Sequence, residues 1–388
     1  MDFINGLGHQ GDRILGLCEW LCVKNGATYV FVLVATKDGR LIVISTTPTK
    51  AHGPSKRLRY YTQYKRTYKR PVYSVVADEQ GILYCVDKTI RWDVLDVKDR
   101  KLKLKSEHEL DSPATMLRVS GGLVYALTTR HSVQVIDYRS KRSSGMAVAY
   151  SDRVSRSTIH MIEAGSGSDA SPVILLSDQD GGIAGIRIPW RQQQRKEFDF
   201  IFKTTLPASV RRFVKARSRP LWLAAGSGNS RPCADHDDGV EVLGVSLDGC
   251  MRHFTLLHLD LWRFLCLVQI VVRKCNLSAG STIAGGERVA EAEEAITMDI
   301  RAELESRQRS KLMHIDGDVL ERCIRPRCLG DIFWNGGLFA LFCGYLDDLE
   351  GGRYTRRLRD AQMTDQERRQ QYIEVGYDIL GRVLHAVL

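Results

Sequence analysis

Between residues 29 and 257 the chain repeats one pattern: short runs rich in Val, Ile, Leu and Tyr, separated by Gly, Asp-Gly or Gly-Gly. β-Branched and aromatic side chains suit a pleated, half-buried surface, and these turn residues tolerate the positive φ of a tight hairpin. Each run therefore reads as a strand and each break as a turn. "TYVFVLVATKDGRLIVIST" gives two strands around Asp38-Gly39. "PVYSVVADEQGILYCVDKTIRWDVLD" gives three or four, broken at Gly81 and at Asp87-Lys88. "ATMLRVSGGLVYALTTRHSVQVIDY" repeats the scheme, with breaks at Gly121-Gly122 and Arg130-His131. Tyr73, Thr115, Ile159 and Arg211 stand at equivalent places, offset by 42, 44 and 52 residues. Four short strands per unit at a period of about 40–45 residues predict β-propeller blades. The usual Gly-His and Trp-Asp marks are missing, so the expectation is a degenerate, WD40-like partial propeller of four to five blades over residues 1–257.

Beyond Leu257 the periodicity changes from two to that of a helix, and residues 258–388 are expected to form a small helical C-terminal domain. "LHLDLWRFLCLVQIVVRKC" is interrupted by Asp260, Arg263 and Gln269. Its uncharged stretch falls well short of the roughly 18 residues that a membrane span needs, so it predicts a buried helix. "NLSAGSTIAGGE" (276–287) reads as a flexible linker. "RVAEAEEAITMDIRAELESRQRSKLMH" has apolar residues at helical spacing with i,i+4 charge pairs. In the last stretch Thr364 and Glu367 have the spacing of a capping box, ahead of an apolar face of Tyr372, Val375, Ile379, Val383 and Leu384.

Of the 388 residues, 44% are hydrophobic and 26% charged, which excludes global disorder and provides for a real core. The formal charge is +10, from 56 Lys+Arg against 46 Asp+Glu, a balance that favours an acidic partner. None of the ten cysteines forms a Cys-x-x-Cys pair, and several sit inside apolar runs. That spacing argues against a zinc ribbon or disulfide framework and for reduced thiols in a cytosolic or nuclear protein. "MDFINGLGHQGDRILGLC" lacks a basic start followed by an apolar core, so no signal peptide is expected.

"KLMHIDGDVLERCI" (311–324) poses the sharpest chemical question. Asp-Gly-Asp suits a calcium loop, a carboxylate pair or the punctuation before a helix. An EF-hand needs further oxygen ligands at fixed spacing and a closing Glu at its twelfth position, which this stretch lacks. Acid–base use would need a nearby His or nucleophile. The structural reading is preferred: Asp316-Gly317 turns the chain, Asp318 caps a helix, and Glu321 completes a capping box. Val319, Leu320, Cys323 and Ile324 then make its packed face.

The strongest compositional signal for binding is "KAHGPSKRLRYYTQYKRTYKR" (50–70), with eight basic residues interleaved with tyrosines. Basic groups neutralise phosphates while tyrosine rings stack on unpaired bases. The candidate contacts to nucleic acid or an acidic partner are Lys56, Arg57, Arg59, Tyr60, Tyr61, Tyr64, Lys65, Arg66, Lys69 and Arg70. The competing readings are a long hairpin between blades with solvated charges and packed tyrosines, or a nuclear-localisation patch. "RRFVKARSR" (211–219) reads as edge-strand charge protection. "CADHDDG" (233–239) mixes metal-ligand types but sits in a loop without a partner cluster. His131-Ser132 has no carboxylate placed for a triad, and "GSGSDAS" and "GSGNSR" lack the setting of a phosphate loop. No enzyme activity, metal, cofactor, small-molecule substrate or membrane partner is expected.

"HIDGDVLERCI" resembles the Asp-Gly-Asp-(Leu/Val)-(Ile/Leu)-Glu signature in the C-terminal region of one family. That family holds damaged-DNA-binding protein 1, the large subunit of the cleavage and polyadenylation specificity factor, and a related splicing-factor subunit. "RPVYSVVADEQGILYCVDKTIRWDVLD" and "GLVYALTTRHSVQVIDYRS" resemble consecutive blades of that family in the same order, from about Ile14 to Leu388. The resemblance implies a nuclear, non-enzymatic scaffold that assembles other proteins, as an adaptor in a cullin ubiquitin ligase serving DNA repair and chromatin regulation. Its alternative is an RNA-binding subunit of the pre-mRNA 3′-end cleavage, polyadenylation or splicing machinery. It also implies three propellers and a helical tail, of which this chain matches only the later part of the third propeller and the tail. One or two blades are then expected from an upstream region, unless the chain is a truncated or divergent member. "RPRCLGDIFWNGGLFALFCGYLDD" (325–348) departs from the family, which passes more directly into its helices there. The fold of residues 325–350 is thus not set by the resemblance.

Overall fold

A computed structural model describes residues 13–384 apart from 25, 49–57, 97–100, 140–144, 153, 165–172, 190–196, 217–240, 279–288, 334–335, 353, 357 and 359–362. The protein is mainly β, with five antiparallel sheets followed by a smaller helical region. Sheet one contains β1 (Ile14–Lys24), β2 (Ala27–Thr36), β3 (Arg40–Pro48) and β4 (Leu58–Thr67) in chain order. Sheet two contains β5 (Val72–Asp78), β6 (Gly81–Val86), β7 (Thr89–Asp96) and β8 (Lys101–Glu109). Sheet three contains β9 (Ala114–Ser120), β10 (Leu123–Thr128), β11 (Val133–Asp137) and β12 (Ala147–Ser151). Sheet four contains β13 (Thr158–Ala164), β14 (Val173–Asp178), β15 (Gly182–Arg187) and β16 (Asp199–Thr205). Sheet five has three described strands, β17 (Val210–Ala216), β18 (Glu241–Ser246) and β19 (Met251–Phe254).

The first strands run beside one another, β1 with β5, β5 with β9, β9 with β13 and β13 with β17. Each sheet thus lays one apolar face on the next. Trp20, Leu33 and Val43 of sheet one meet Val72, Ile82 and Tyr84 of sheet two. Leu83, Cys85 and Trp92, on the other face of sheet two, meet Leu117, Ala126 and Ile136 of sheet three. The same alternation joins sheets three to four and four to five. Fully burying each large apolar side chain stabilises the fold by about 1.5–3 kcal/mol. Polar bonds fix the alignment: Trp20 Nε1 donates to Asp78 O at 2.9 Å, and Arg139 from the end of sheet three holds the Asp78 carboxylate at 2.6 Å. The β2–β3 turn needs Gly39, whose φ is +85 and whose place a Cβ could fill only at 2.3 Å from Tyr68 O.

The helical region is built around α1 (Leu259–Ser278), which carries Phe264, Leu265, Leu267, Val268 and Val271 in its interior. It is packed by α2 (Val289–Arg309), α3 (Gly317–Ile324), α4 (Leu329–Ile332) and α5 (Gly336–Asp348), and α6 (Asp365–Leu384) packs in turn on α3, α4 and α5. The two parts touch where Lys203 N of β16 donates to Lys311 O at 2.8 Å. Among the described residues, no helix is long and apolar enough to cross a membrane.

Three local expectations change. Residues 58–67 of the basic stretch are a strand paired with β3 inside the first sheet, so the hairpin lies within one sheet rather than between two. The expected linker at 276–287 loses its first three residues to α1; of the rest, 279–287 lie outside the described residues. The stretch 325–350 forms α4 and α5, because Phe333, Leu338, Phe342 and Leu346 are apolar enough to enter the helical core.

Candidate nucleic-acid interface

Among the described residues, β4 is the last strand of sheet one, bonded to β3 alone. Its residues alternate between two faces, with one interruption: a bulge at Gln63, where Val43 pairs with Tyr64 and Ile44 with Thr62. The bulge puts Tyr61, Tyr64 and Arg66 on the face toward sheet two and leaves Tyr60 and Lys65 on the opposite face. The ten candidates are therefore divided. Tyr60 and Tyr61 are each 42% exposed, and Lys65, Lys69 and Arg70 are exposed as well. Arg70 Nε lies 3.9 Å from Asp87 Oδ2. Arg59 lies on β4 opposite Thr47, and Lys56 and Arg57 fall outside the described residues.

Arg66 is not available to a phosphate. Its Nη1 donates to Asp93 Oδ2 at 2.8 Å and lies 3.1 Å from Tyr84 Oη and 3.2 Å from Tyr68 Oη. Tyr68 and Tyr84 share a hydroxyl–hydroxyl bond of 2.7 Å, and Tyr84 donates to Asp93 Oδ2 at 3.0 Å. The Arg91 guanidinium covers the Tyr68 ring at 5.5 Å and binds Glu107 through Nη2 at 2.8 Å. Burial pushes the Tyr84 phenol far above its ordinary pKa, so it stays protonated and donates. Burial also raises the Asp93 carboxyl, although Arg66 and Tyr84 pull the other way. Tyr64 and Arg66 thus belong to the seam between the first two sheets, with Arg66 5.5 Å over the Tyr64 ring. The signal for this cluster lies in "TIRWDVLD", where Arg91 and Asp93 alternate with Ile90 and Trp92: a buried strand carrying charges on one face needs partners from a neighbour.

The Asp-Gly-Asp element is a cap, but the capping residue is Asp316. Asp316 has extended backbone at φ −94 and ψ 110, and its Oδ1 accepts from Asp318 N at 3.1 Å. Gly317 is already the first helical residue, so Asp318 lies inside the first turn and makes no capping box. The Glu321 carboxylate pairs instead with Arg325, one turn on. The shift has a tertiary cause: Asp316 N donates to Oε1 of the buried Gln269 at 2.6 Å, which anchors the turn on α1. The box at α6 does form, with Thr364 N donating to Glu367 Oε2 at 2.9 Å and Glu367 N to Thr364 Oγ1 at 3.3 Å. Among the described residues, no group of three His, Cys, Asp or Glu could hold a metal ion. Residues 233–239 lie outside them.

Near His131-Ser132 a carboxylate does arrive in space. Ser132 Oγ donates to Asp152 Oδ2 at 2.7 Å, and Arg156 Nη2 lies 3.4 Å from the same oxygen. The His131 ring points elsewhere, with Nδ1 3.1 Å from Ser112 Oγ. Serine, histidine and carboxylate are not in series, and the buried Ser132, at φ +55, accepts from Thr158 Oγ1 of β13 at 3.3 Å and so ties the third sheet to the fourth. Compared with protein-family models and with curated proteins, the chain matches none.

Proposed function

We propose that the five sheets are consecutive blades of an incomplete β-propeller and that the protein is a non-enzymatic nuclear scaffold. In this reading it joins other proteins as an adaptor of a cullin ubiquitin ligase in DNA repair or chromatin regulation. The observation that supports it most is where the polar groups go. Arg66–Asp93, Trp20–Asp78 and Thr158–Ser132 are all used to lock one sheet onto the next. Outward, the array offers strand edges and faces, the features through which scaffolds engage partners. The adaptor role itself rests on the resemblance of the Asp-Gly-Asp element and the strand repeats. Affinity purification of the tagged protein from nuclear extract, followed by mass spectrometry, tests it. Recovery of cullin and substrate-receptor peptides is the expected result.

One observation favours a second reading, an RNA-binding subunit of the 3′-end processing or splicing machinery. Tyr60, Tyr61 and Lys65 remain exposed on a single edge strand, with Lys69 and Arg70 at its end. Rings and cations spaced along one edge suit an unpaired strand of nucleic acid. Recovery of polyadenylation or spliceosomal subunits in the same purification would decide for it.

A further inference from the structure

At every junction between consecutive sheets, the face turned toward the C-terminal neighbour meets the face turned toward the N-terminal one. Two faces of opposite type are left at the ends of the series. On sheet one it is the face of Leu17, Leu21, Val23 and Val30, because Leu17 pairs with Val34 and Leu21 with Val30, opposite in phase to Trp20 and Phe31. On sheet five it is the face of Val214, Val245 and Met251, opposite in phase to the buried Phe213 and Val242.

Both faces carry an apolar strip that is open to solvent. Leu17 is 68% exposed and Val23 66%; Val245 is 47% exposed and Met251 69%. On the sheet-one face Val34, Ile42 and Ile44 are buried as a separate cluster, so the open part is the strip along β1 and the start of β2. The exposed charges on the two strips are of opposite sign, the Glu241 carboxylate of the sheet-five face being buried 3.2 Å from His253 Nε2. Exposed Glu19 lies between Leu17 and Leu21 on the first, and exposed Arg212 lies two residues before Val214 on the second. Contiguous exposed apolar surface of this kind marks an interaction site.

We propose that these strips dock head to tail, the sheet-five face of one copy covering the sheet-one face of a second copy. The junction continues the order of the four inside the chain: apolar face on apolar face, with Glu19 opposed to Arg212. Because the two surfaces differ, the contact is heterologous, and each dimer keeps one open face of each type for further copies.

Light scattering coupled to size exclusion, over a hundredfold range of concentration, tests this. The wild-type mass rises with concentration beyond that of one chain. Leu21→Lys, on the first strip, and Val245→Lys, on the second, each hold the protein at single-chain mass. Mixed one to one, these two variants recover a dimer that grows no further, since each supplies the strip the other lacks. A wild-type mass that stays at one chain throughout overturns the proposal. So does self-association of either folded variant alone, or a mixture that remains monomeric. Circular dichroism melts confirm folding; should a variant fail to fold, Val23→Lys and Met251→Lys replace the pair, and the wild-type measurement stands by itself.

Discussion

Arg66 Nη1 lies 2.8 Å from Asp93 Oδ2, and this ion pair joins the last strand of the first sheet to the third strand of the second. The Asp93 side chain is 0% exposed, so its charge has no recourse to water. Arg66→Gln should destabilise the protein by about 3–5 kcal/mol, read from the midpoint of urea unfolding. Arg66→Met with Asp93→Leu should cost much less, because no uncompensated carboxylate remains. Equal losses in the two would mean that the pair itself, rather than the stranded charge, sets the effect.

The position of the α3 cap separates two neighbouring aspartates. Asp316→Ala removes the acceptor for Asp318 N and should cost about 0.5–2 kcal/mol. Asp318→Ala removes only a first-turn charge near the helix N-terminus, about 0.3–1 kcal/mol. Thermal melts of both variants under one buffer check the order.

Gly376 lets α6 approach α5. A Cβ there would sit 2.6 Å from Phe342 Cζ, and Phe342 is held by Phe333 at 4.6 Å and Phe264 at 5.4 Å between ring centroids. The ring has no room to withdraw, so Gly376→Ala should destabilise by about 1–3 kcal/mol despite the better helix propensity of alanine. Chemical denaturation reads it; a stabilised variant would mean that the ring repacks.

His160 introduces a pH dependence. Burial, with Arg212 and Arg118 nearby, pulls its pKa down from 6.5 to about 4, while its Nδ1 accepts from Phe213 N at 3.2 Å. The folded protein then binds fewer protons than the unfolded chain between those values. Its contribution is fully present above pH 6.5 and is lost as pH falls toward about 4. His160→Asn keeps an acceptor and removes the titration. The wild-type melting temperature should fall faster than the variant's across that window, and parallel curves would refute the assignment.

Only the exposed cations of the basic stretch should meet phosphates. Lys65→Gln with Lys69→Gln should weaken binding to a single-stranded oligonucleotide and flatten the plot of log Kobs against log salt by about 1.4. Fluorescence anisotropy at several salt concentrations measures both, and an unchanged slope would mean that these charges are only solvated.

The features legible in the sequence were those decided locally. Tyr73, Thr115, Ile159 and Arg211, matched by spacing alone, are each the second residue of a sheet's first strand, because inner strands carry their own apolar pattern and turn residues. The Thr364–Glu367 box was legible for the same reason, since both partners lie within one turn. β4 was not: "LRYYTQYKRT" has polar residues on both faces and becomes a strand only because β3 supplies its backbone partners. Arg66 and Lys65 are adjacent and both basic, yet one is sequestered and the other exposed. That difference comes from the bulge at Gln63 and from Asp93, 27 residues away on another sheet. The cap likewise moved from Asp318 to Asp316 because Gln269, 47 residues earlier, binds the backbone there. Spacing within a strand or a helical turn is written in the chain; which of two like residues meets a distant partner is decided only when the sheets and helices pack.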